Sequence, residues 1–187
     1  DIVTVKLGVV GENNEQWEPV IAALAEENIN LELVKFSDYS LPNQSLADGE
    51  IDINAFRHYS YFNYEIRDKG LDLTVIGETI IAPLGLYANQ ITDISELKEG
   101  DKIAIPSDAT NGGRSLKVIE SAGLIKVNPE AGFLPTLSDI TENPLKLEFI
   151  EIEAANTASL LPDVAAAIIN GGHAVDNGLF PEVDAIY

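Results

Sequence analysis

The strongest constraint on the fold is the alternation of strand-like and helix-like segments along the first 70 residues. The segments "IVTVKLGVVG" (2–11) and "INLELVKF" (29–36) alternate apolar and polar residues, which predicts two strands. Between them, "NEQWEPVIAALAEEN" has apolar residues at 17, 20, 21 and 24, the spacing of an amphipathic helix. Strands and helices that alternate along a chain indicate an α/β fold with a largely parallel sheet.

The same pattern continues to the end of the chain. Further strands are predicted in "IDINAF" (51–56), 103–105, "LKLEFIEIE" (145–153) and 164–169, and the stretch 71–88 is strand-rich with breaks at Pro83 and Gly85. Helices are predicted in "NQSLADGE", "HYSYFNYEIRDKG" and 114–125, and a turn at Gly171-Gly172. A boundary near residues 82–88 divides the chain into two predicted lobes, 1–84 and 85–187.

The composition excludes several classes of protein. The chain has 31 acidic and 11 basic residues, a net charge of -20, and this argues against binding to the phosphates of nucleic acid. It has no cysteine and two histidines, so neither a disulfide framework nor a metal site is expected, and no cofactor is predicted. No apolar run approaches the roughly 18 residues of a membrane-spanning helix.

One stretch, "IAIPSDATNGGRSLKVIESAGLI" (103–125), indicates a site for an anion. A short strand leads into a polar loop, and Arg114 follows at the predicted start of a helix, where backbone N–H groups also favour negative charge. Tyr39 and the segment 56–61 follow two other strands, and ligands of parallel sheets bind at the carboxyl ends of strands. The alternative is a solvated Arg114 on a helix that Thr110 or Asn111 caps.

Five blocks of the sequence, in this order, resemble the methionine-binding lipoproteins of the NlpA family, the receptors of ABC transporters. "FSDYSLPNQSL" resembles the family pattern F-x-D-Y-x-x-P-N-x-A-L, and "GEIDINAFRHYSYF" resembles G-x-I-D-x-N-x-F-Q-H-x-P-Y-L. "IPSDATNGGRSLKVIESAGLIK", "DITENPLKLEFIEIEAA" and "AAIINGGHAVDNGL" match three further blocks. The resemblance covers nearly the whole chain.

The resemblance implies a two-lobed periplasmic-binding-protein fold with a hinge, which closes on L-methionine or a close relative in the cleft between the lobes. It implies that the protein lies outside the cytoplasm, is anchored to the membrane by an N-terminal lipid, and delivers its ligand to a permease with its ATPase. It assigns the ligand carboxylate to Arg114, with Asn111 and Asn170 nearby. It assigns the ligand side chain to the aromatic residues and the histidine, which are Tyr39, Phe56, His58 and Tyr61.

The chain departs from the family pattern in three places. Arg57 and Ser60 stand where the family has Gln and Pro, and "NGGH" stands where the family has N-x-N-Y. Asn170 matches the first Asn of that motif, whereas Gly172 and His173 replace its second Asn and its Tyr. The chain also lacks a C-terminal segment that, by the family pattern, completes the first lobe.

Other functions fit parts of the sequence. The smaller residues of "NGGH" leave room for a methionine-containing dipeptide such as Gly-Met. An enzyme on the same scaffold would use His58 as a base and Arg114 as a carboxylate clamp. No motif for catalysis is present, so a receptor is expected and not an enzyme. A surface adhesion or signalling module is a third alternative. His58 could also be a packing group, and Asn111 a helix cap.

Overall fold

The computed structural model describes all residues from Asp1 to Tyr187. The chain forms two compact units, Asp1–Ile81 and Ala82–Tyr187. The strands are β1 (Val3–Val10), β2 (Ile29–Phe36), β3 (Ile53–Asn54), β4 (Leu84–Tyr87), β5 (Lys102–Pro106), β6 (Lys126–Val127), β7 (Ile140–Glu142), β8 (Glu148–Ile152) and β9 (Ala166–Asn170). The α-helices are α1 (Glu18–Glu26), α2 (Pro42–Ala47), α3 (Tyr59–Lys69), α4 (Ala109–Ser121), α5 (Gly171–Asp176) and α6 (Pro181–Asp184). Short 3-10 helices span Glu15–Trp17, Ile94–Glu96, Pro129–Ala131, Leu137–Asp139, Ala154–Asn156 and Ala158–Asp163.

The first unit is built on a parallel sheet with the strand order β2-β1-β3. Strand β1 pairs with β2 along its full length, from Val3 opposite Ile29 to Val10 opposite Phe36. Alternate residues of these strands face one side and form a small core of Leu7, Val9 and Leu31. The apolar side of α1 covers this core, as the spacing of its apolar residues predicts.

The prediction of strands throughout residues 71–88 is wrong for most of that range. Residues 71–83 contain no regular structure, and β4 begins only at Leu84 and runs through Gly85 without a break. Ile76 and Ile81 are 80% and 98% exposed. An apolar segment forms a strand only where a neighbouring strand can accept its backbone hydrogen bonds, and residues 71–83 pair with no strand.

The second unit has a four-stranded sheet with the order β4-β9-β5-β8. Strand β5 is parallel to both β8 and β9, and β4 is antiparallel to β9. Beside β4 the last residues of the chain add two hydrogen bonds, from the Leu86 N–H to the Tyr187 carbonyl (2.9 Å) and from the Ile186 N–H to the Leu86 carbonyl (2.8 Å). The prediction of an α/β fold with mostly parallel sheets is confirmed. No helix is long and apolar enough to cross a membrane.

Two helix boundaries differ from the prediction. Helix α4 begins at Ala109 and not at Arg114, because Asp108 is its N-cap: the Asp108 carboxylate accepts a hydrogen bond from the Asn111 N–H at 2.8 Å. The predicted turn at Gly171-Gly172 is instead the first turn of α5.

Glycines 112 and 113 let α4 pack against its neighbours. A Cβ atom on Gly112 would lie 2.9 Å from the Pro106 carbonyl oxygen, and one on Gly113 would lie 3.0 Å from the Cα of Leu134. Both distances are shorter than ordinary van der Waals contacts to backbone. Gly112 therefore allows the start of α4 to pack against the end of β5, and Gly113 allows it to pack against the segment at Leu134.

This packing predicts opposite results for two glycine substitutions. Gly113→Ala should lower the free energy of unfolding by about 1–3 kcal/mol, because the added methyl group meets backbone. Gly172→Ala is the matched control, since a Cβ there has no heavy atom within 4 Å and alanine favours a helix. Urea unfolding of both variants measures the difference. Equal stability of Gly113→Ala and the wild type would contradict this account of the glycine pair.

Tyr87 has a buried hydroxyl group. Its side chain is 1% exposed, its hydroxyl has no hydrogen-bond partner, and burial, together with the charge of Asp184, raises the pKa of Tyr87. By contrast, the hydroxyl of Tyr61, which is also buried, donates to the Tyr39 carbonyl at 2.7 Å. The two tyrosines thus differ in whether the hydroxyl group is satisfied.

Removing each hydroxyl should therefore have a different effect on stability. Tyr87→Phe should leave the free energy of unfolding unchanged or raise it by up to about 1 kcal/mol, because an unsatisfied buried group is lost. Tyr61→Phe should lower it by about 1 kcal/mol, because a hydrogen bond is lost. Parallel denaturant titrations would measure both values, and a clear loss of stability in Tyr87→Phe would show that its hydroxyl has a partner.

Candidate ligand-binding site

The first unit brings four predicted site residues together, and we call Tyr39, Phe56, His58 and Tyr61 the aromatic cluster. Tyr39 follows β2, Phe56 and His58 follow β3, and Tyr61 lies in the first turn of α3. Strands β2 and β3 are both parallel to β1, so the segments that follow them leave the sheet at the same edge. The topology of the sheet thus explains why residues 22 positions apart meet.

The rings of the aromatic cluster pack mainly edge to face. Tyr39 and Phe56 are stacked, with centroids 6.0 Å apart and an angle of 23° between the planes. Tyr61 presents its ring at steep angles to Tyr39, Phe56 and His58, with centroid distances of 6.2, 6.0 and 6.3 Å. Such aromatic surroundings suit a polarisable thioether, which makes favourable contacts with ring edges and faces.

His58 has a defined structural role in this cluster. It is the N-cap of α3, and its Nδ1 accepts a hydrogen bond from the Tyr61 N–H at 3.1 Å. In the neutral ring the proton is therefore on Nε2, which is a donor. This bond supports the alternative that His58 is a structural group. It uses only the Nδ1, so the geometry is also compatible with the predicted role of His58 in ligand binding.

Arg57 lies directly beside the aromatic cluster, and the sequence analysis did not identify it as a site residue. Its guanidinium carbon is 5.0 Å from the ring centroid of Phe56 and 4.7 Å from that of Phe62, which are cation–π distances. Burial lowers the pKa of Arg57 to about 10, while the negative charge of Glu65 acts in the opposite direction. The guanidinium is therefore charged at neutral pH.

A chain of polar side chains connects Arg57 to the interior of the first unit. Arg57 donates a hydrogen bond to the Asn54 Oδ1, and the Asn54 amide donates to the Asn43 Oδ1 at 3.3 Å. Asn43 is fully buried and donates to Glu65 at 3.0 Å, and Glu65 also pairs with Lys69 at 2.7 Å. These buried groups compensate one another, as buried polar groups must.

The second unit brings the other three predicted site residues together with Asp108, and we call Asp108, Asn111, Arg114 and Asn170 the amide cluster. The Asn111 Oδ1 accepts hydrogen bonds from Arg114 at 2.8 Å and from the Asn170 amide at 3.2 Å. The Asn111 amide donates to the Asp108 Oδ1 at 3.1 Å. Asn111, which is 2% exposed, is thus the centre of the cluster and links α4 to the end of β9.

The amide cluster corrects the prediction of how a carboxylate would be held. Asp108 already occupies the N-terminus of α4 and accepts hydrogen bonds from the Asn111 N–H and the Thr110 hydroxyl at 2.8 and 2.9 Å. A second carboxylate at that position would meet like charge. Because Arg114 lies in the second turn of the helix, its guanidinium and not the helix start is the group suited to an anion. Asp108 was missed, although Asp is among the preferred N-cap residues.

Asn170 and the residues after it complete this part of the second unit. The Asn170 side chain is buried, and its Oδ1 is an acceptor without a hydrogen-bond partner. His173 is buried on α5, whereas Gly172 is exposed and has open space where a side chain would be. No group of three or more His, Cys, Asp or Glu side chains is arranged to hold a metal ion.

The central position of Asn111 predicts a large effect of its removal on stability. Asn111→Ala should lower the free energy of unfolding by about 2–3 kcal/mol, because Asp108, Arg114 and Asn170 each lose a partner in a buried setting. Asn156→Ala, at an exposed position, is the control and should change it by less than about 0.5 kcal/mol. Chemical denaturation measures both, and similar values for the two variants would contradict the central role of Asn111.

Comparison with known proteins gives one consistent result. The sequence profile of the NlpA lipoprotein family matches residues 5–187. A relative from Vibrio cholerae, named a probable D-methionine-binding lipoprotein MetQ, is 44% identical over 185 residues, which are 98% of this chain and 69% of the relative.

Solved structures agree with the sequence comparison. A nutrient binding protein from Burkholderia cenocepacia bound to methionine matches with a TM-score of 0.92 at 35% identity, over 98% of this chain and 78% of that one. The substrate binding protein of a methionine transporter from Streptococcus pneumoniae matches with a TM-score of 0.92 at 35% identity, over 97% and 74% of the two chains. The predicted binding-protein fold is thereby confirmed.

Proposed function

Because the chain belongs to the NlpA lipoprotein family, we propose that it is an extracytoplasmic solute-binding protein that supplies methionine, or a close relative, to an ABC importer. The observation that carries this proposal is the pair of clusters described above. One is aromatic and suits an apolar, sulfur-containing side chain, and the other presents a guanidinium that suits a carboxylate. Each cluster has the chemistry that suits one end of methionine.

The aromatic cluster favours methionine over a smaller amino acid. Tyr39, Phe56 and Tyr61 pack against one another and form a continuous group of rings, with all three centroid distances near 6 Å. A thioether gains from sulfur–aromatic contacts, and a longer side chain covers more of these rings. His58 contributes a ring whose Nδ1 is held by the backbone of α3.

The amide cluster provides the contacts for the charged end of the ligand. Arg114 is held by Asn111, which orients the planar guanidinium before a ligand arrives. The free acceptor of Asn170 suits an ammonium group, which has only donors. In this proposal the residues that contact the ligand are Tyr39, Phe56, His58, Tyr61, Asn111, Arg114 and Asn170.

The comparisons support a receptor and not an enzyme. The relatives are named binding proteins and lipoproteins, and one solved neighbour is the substrate binding protein of a transporter. We infer that this protein is held at the membrane by a lipid anchor and that its ligand-bound form docks on the permease of an ABC transporter, whose ATPase drives import. Ligand binding can favour that form only through contacts that the unbound form does not make.

A methionine-containing dipeptide such as Gly-Met is the second candidate ligand. The observation that favours it is the open space beside Gly172, where the family pattern has an asparagine. An additional residue on the amino side of methionine would require such space close to Asn170. The two ligands differ in the position of the ammonium group, so a titration distinguishes them.

The first test is isothermal titration of ligand-free protein with L-methionine, D-methionine and Gly-Met. We expect heat from at least one of them, and saturation at one ligand per chain. Arg114→Ala should weaken that binding by about 100-fold, because a charge-assisted hydrogen bond to a carboxylate contributes roughly 1.5–3 kcal/mol and a bidentate pair contributes more. Lys117→Ala is the matched control, since Lys117 lies on the same helix and forms only a partly exposed ion pair with Glu120.

The titration has a clear negative outcome. If none of the three ligands binds to protein that circular dichroism shows to be folded, the proposal is wrong for this chain. If a ligand binds and Arg114→Ala has no larger effect than Lys117→Ala, the receptor assignment stands and the carboxylate contact is assigned to the wrong residue.

A further inference from the structure

Arg57 combines features that the proposed ligand contacts do not use. It is a cation at a half-buried position, it lies against two aromatic rings, and one of these, Phe56, belongs to the aromatic cluster. The other ring, Phe62, is buried on α3. Arg57 thus connects a proposed ligand-contacting ring to the fixed interior of the first unit.

We propose that Arg57 is a positioning residue, which holds the ring of Phe56 in the orientation that contacts the ligand side chain. This inference rests on the proposed function, because it concerns the same aromatic cluster. Arg57 itself is not assigned a contact with the ligand.

Phe56 requires such a support because of where it lies. It is in the segment between β3 and α3, which has no regular secondary structure, and it is only partly buried. Tyr39 stacks on Phe56, and Tyr61 meets it edge-on. Both of these residues are themselves proposed ligand contacts. Arg57 is a neighbour of Phe56 that is hydrogen-bonded to the buried polar network and is not itself a proposed ligand contact.

The far end of Arg57 is anchored by the buried polar network. Its hydrogen bond to Asn54 continues through Asn43, which is 0% exposed, to Glu65. A guanidinium held in this way loses little further freedom when it stacks on a ring, so the stacking energy goes into orienting Phe56. The charge that the stacking needs is present, since the pKa of Arg57 is about 10.

The test uses substitutions that remove the charge or keep it. In Arg57→Gln a side-chain amide can still reach toward Asn54, but the cation is lost. The Kd is measured first for L-methionine, and for another of the three ligands if the wild type binds that one instead. We expect it to rise about five- to tenfold, which corresponds to the free energy of a cation–π contact in a partly desolvated site. Arg57→Lys keeps a cation over the ring and should recover part of that loss.

Arg67→Gln is the matched control. Arg67 lies on the same helix as Phe62, and its guanidinium carbon is 6.0 Å from the ring of Tyr64, outside the aromatic cluster. Because this contact touches no proposed ligand residue, Arg67→Gln should leave the Kd within about twofold of the wild-type value.

A double-mutant cycle separates a positioning role from a general loss of stability. If Arg57 acts through Phe56, Arg57→Gln should change the Kd by less than about twofold when Phe56 is already replaced by Leu. The expected result is therefore a five- to tenfold effect in the wild-type background that disappears in Phe56→Leu. An equal effect in both backgrounds, or no effect in either, would overturn the inference.

The outcomes also distinguish this inference from the proposed function. If the wild type binds methionine and Arg57→Gln binds it equally well, only the inference falls. If the wild type binds none of the three ligands, the proposed function falls and the inference with it. Should Arg57→Gln fail to fold, the cycle is run with Arg57→Lys. A smaller loss of affinity that disappears in the Phe56→Leu background supports the inference. A loss of affinity that persists in that background overturns it.

Discussion

The side chain of Asp108 determines the arrangement of the amide cluster. One carboxylate oxygen caps α4 and the other accepts from the Asn111 amide, so the start of α4 and the orientation of Asn111 are fixed by one group. Asn111 then presents its oxygen to Arg114 and Asn170, which come from different elements. A negative charge that is part of the protein therefore organises the residues to which we assign the binding of an external negative charge.

In the first unit, ring packing orients the proposed ligand-contacting residues, and no carboxylate has the role that Asp108 has in the amide cluster. In its aromatic cluster Tyr61 packs against the other three rings and donates hydrogen bonds to the His58 Nδ1 and the Tyr39 carbonyl, and the polar network from Arg57 to Glu65 adjoins Phe56. Apolar contacts have little directional preference, whereas the hydrogen bonds of Asn43 and Asn54 are directional. The combination gives the rings a defined orientation although Tyr39, Phe56 and His58 lie outside helices and strands.

The sequence predicted the features that depend on local patterns and missed those that depend on long-range partners. The alternation of apolar and polar residues in 29–36 predicted β2 with its observed limits, because Leu31 and Leu33 pack in the core while Asn30 and Glu32 are exposed. The isoleucines of 71–83 have a similar local pattern but no strand beside them, and this cannot be deduced from the residues themselves. The site residues whose side chains suit methionine were identified through the family resemblance and not from local patterns.

The partners that hold those residues were not found. Arg57 lies between two predicted site residues in the sequence, and Asp108 lies three residues before another, but their roles depend on ring contacts and hydrogen bonds that form only in the fold. The sequence also does not reveal that the glycines at 112 and 113 face Pro106 and Leu134. Close packing between distant segments is the information that a single sequence lacks.

The exposed isoleucines of residues 71–83 affect how the protein behaves in concentrated solution. An extended, apolar segment without strand partners can pair with the same segment of another molecule and begin aggregation. At neutral pH the net charge of -20 keeps molecules apart. Because the isoelectric point is about 4.1, this repulsion disappears on acidification, and mildly acidic buffers are where precipitation should begin. The acidic surface thus opposes association through the exposed side chains of Ile76 and Ile81.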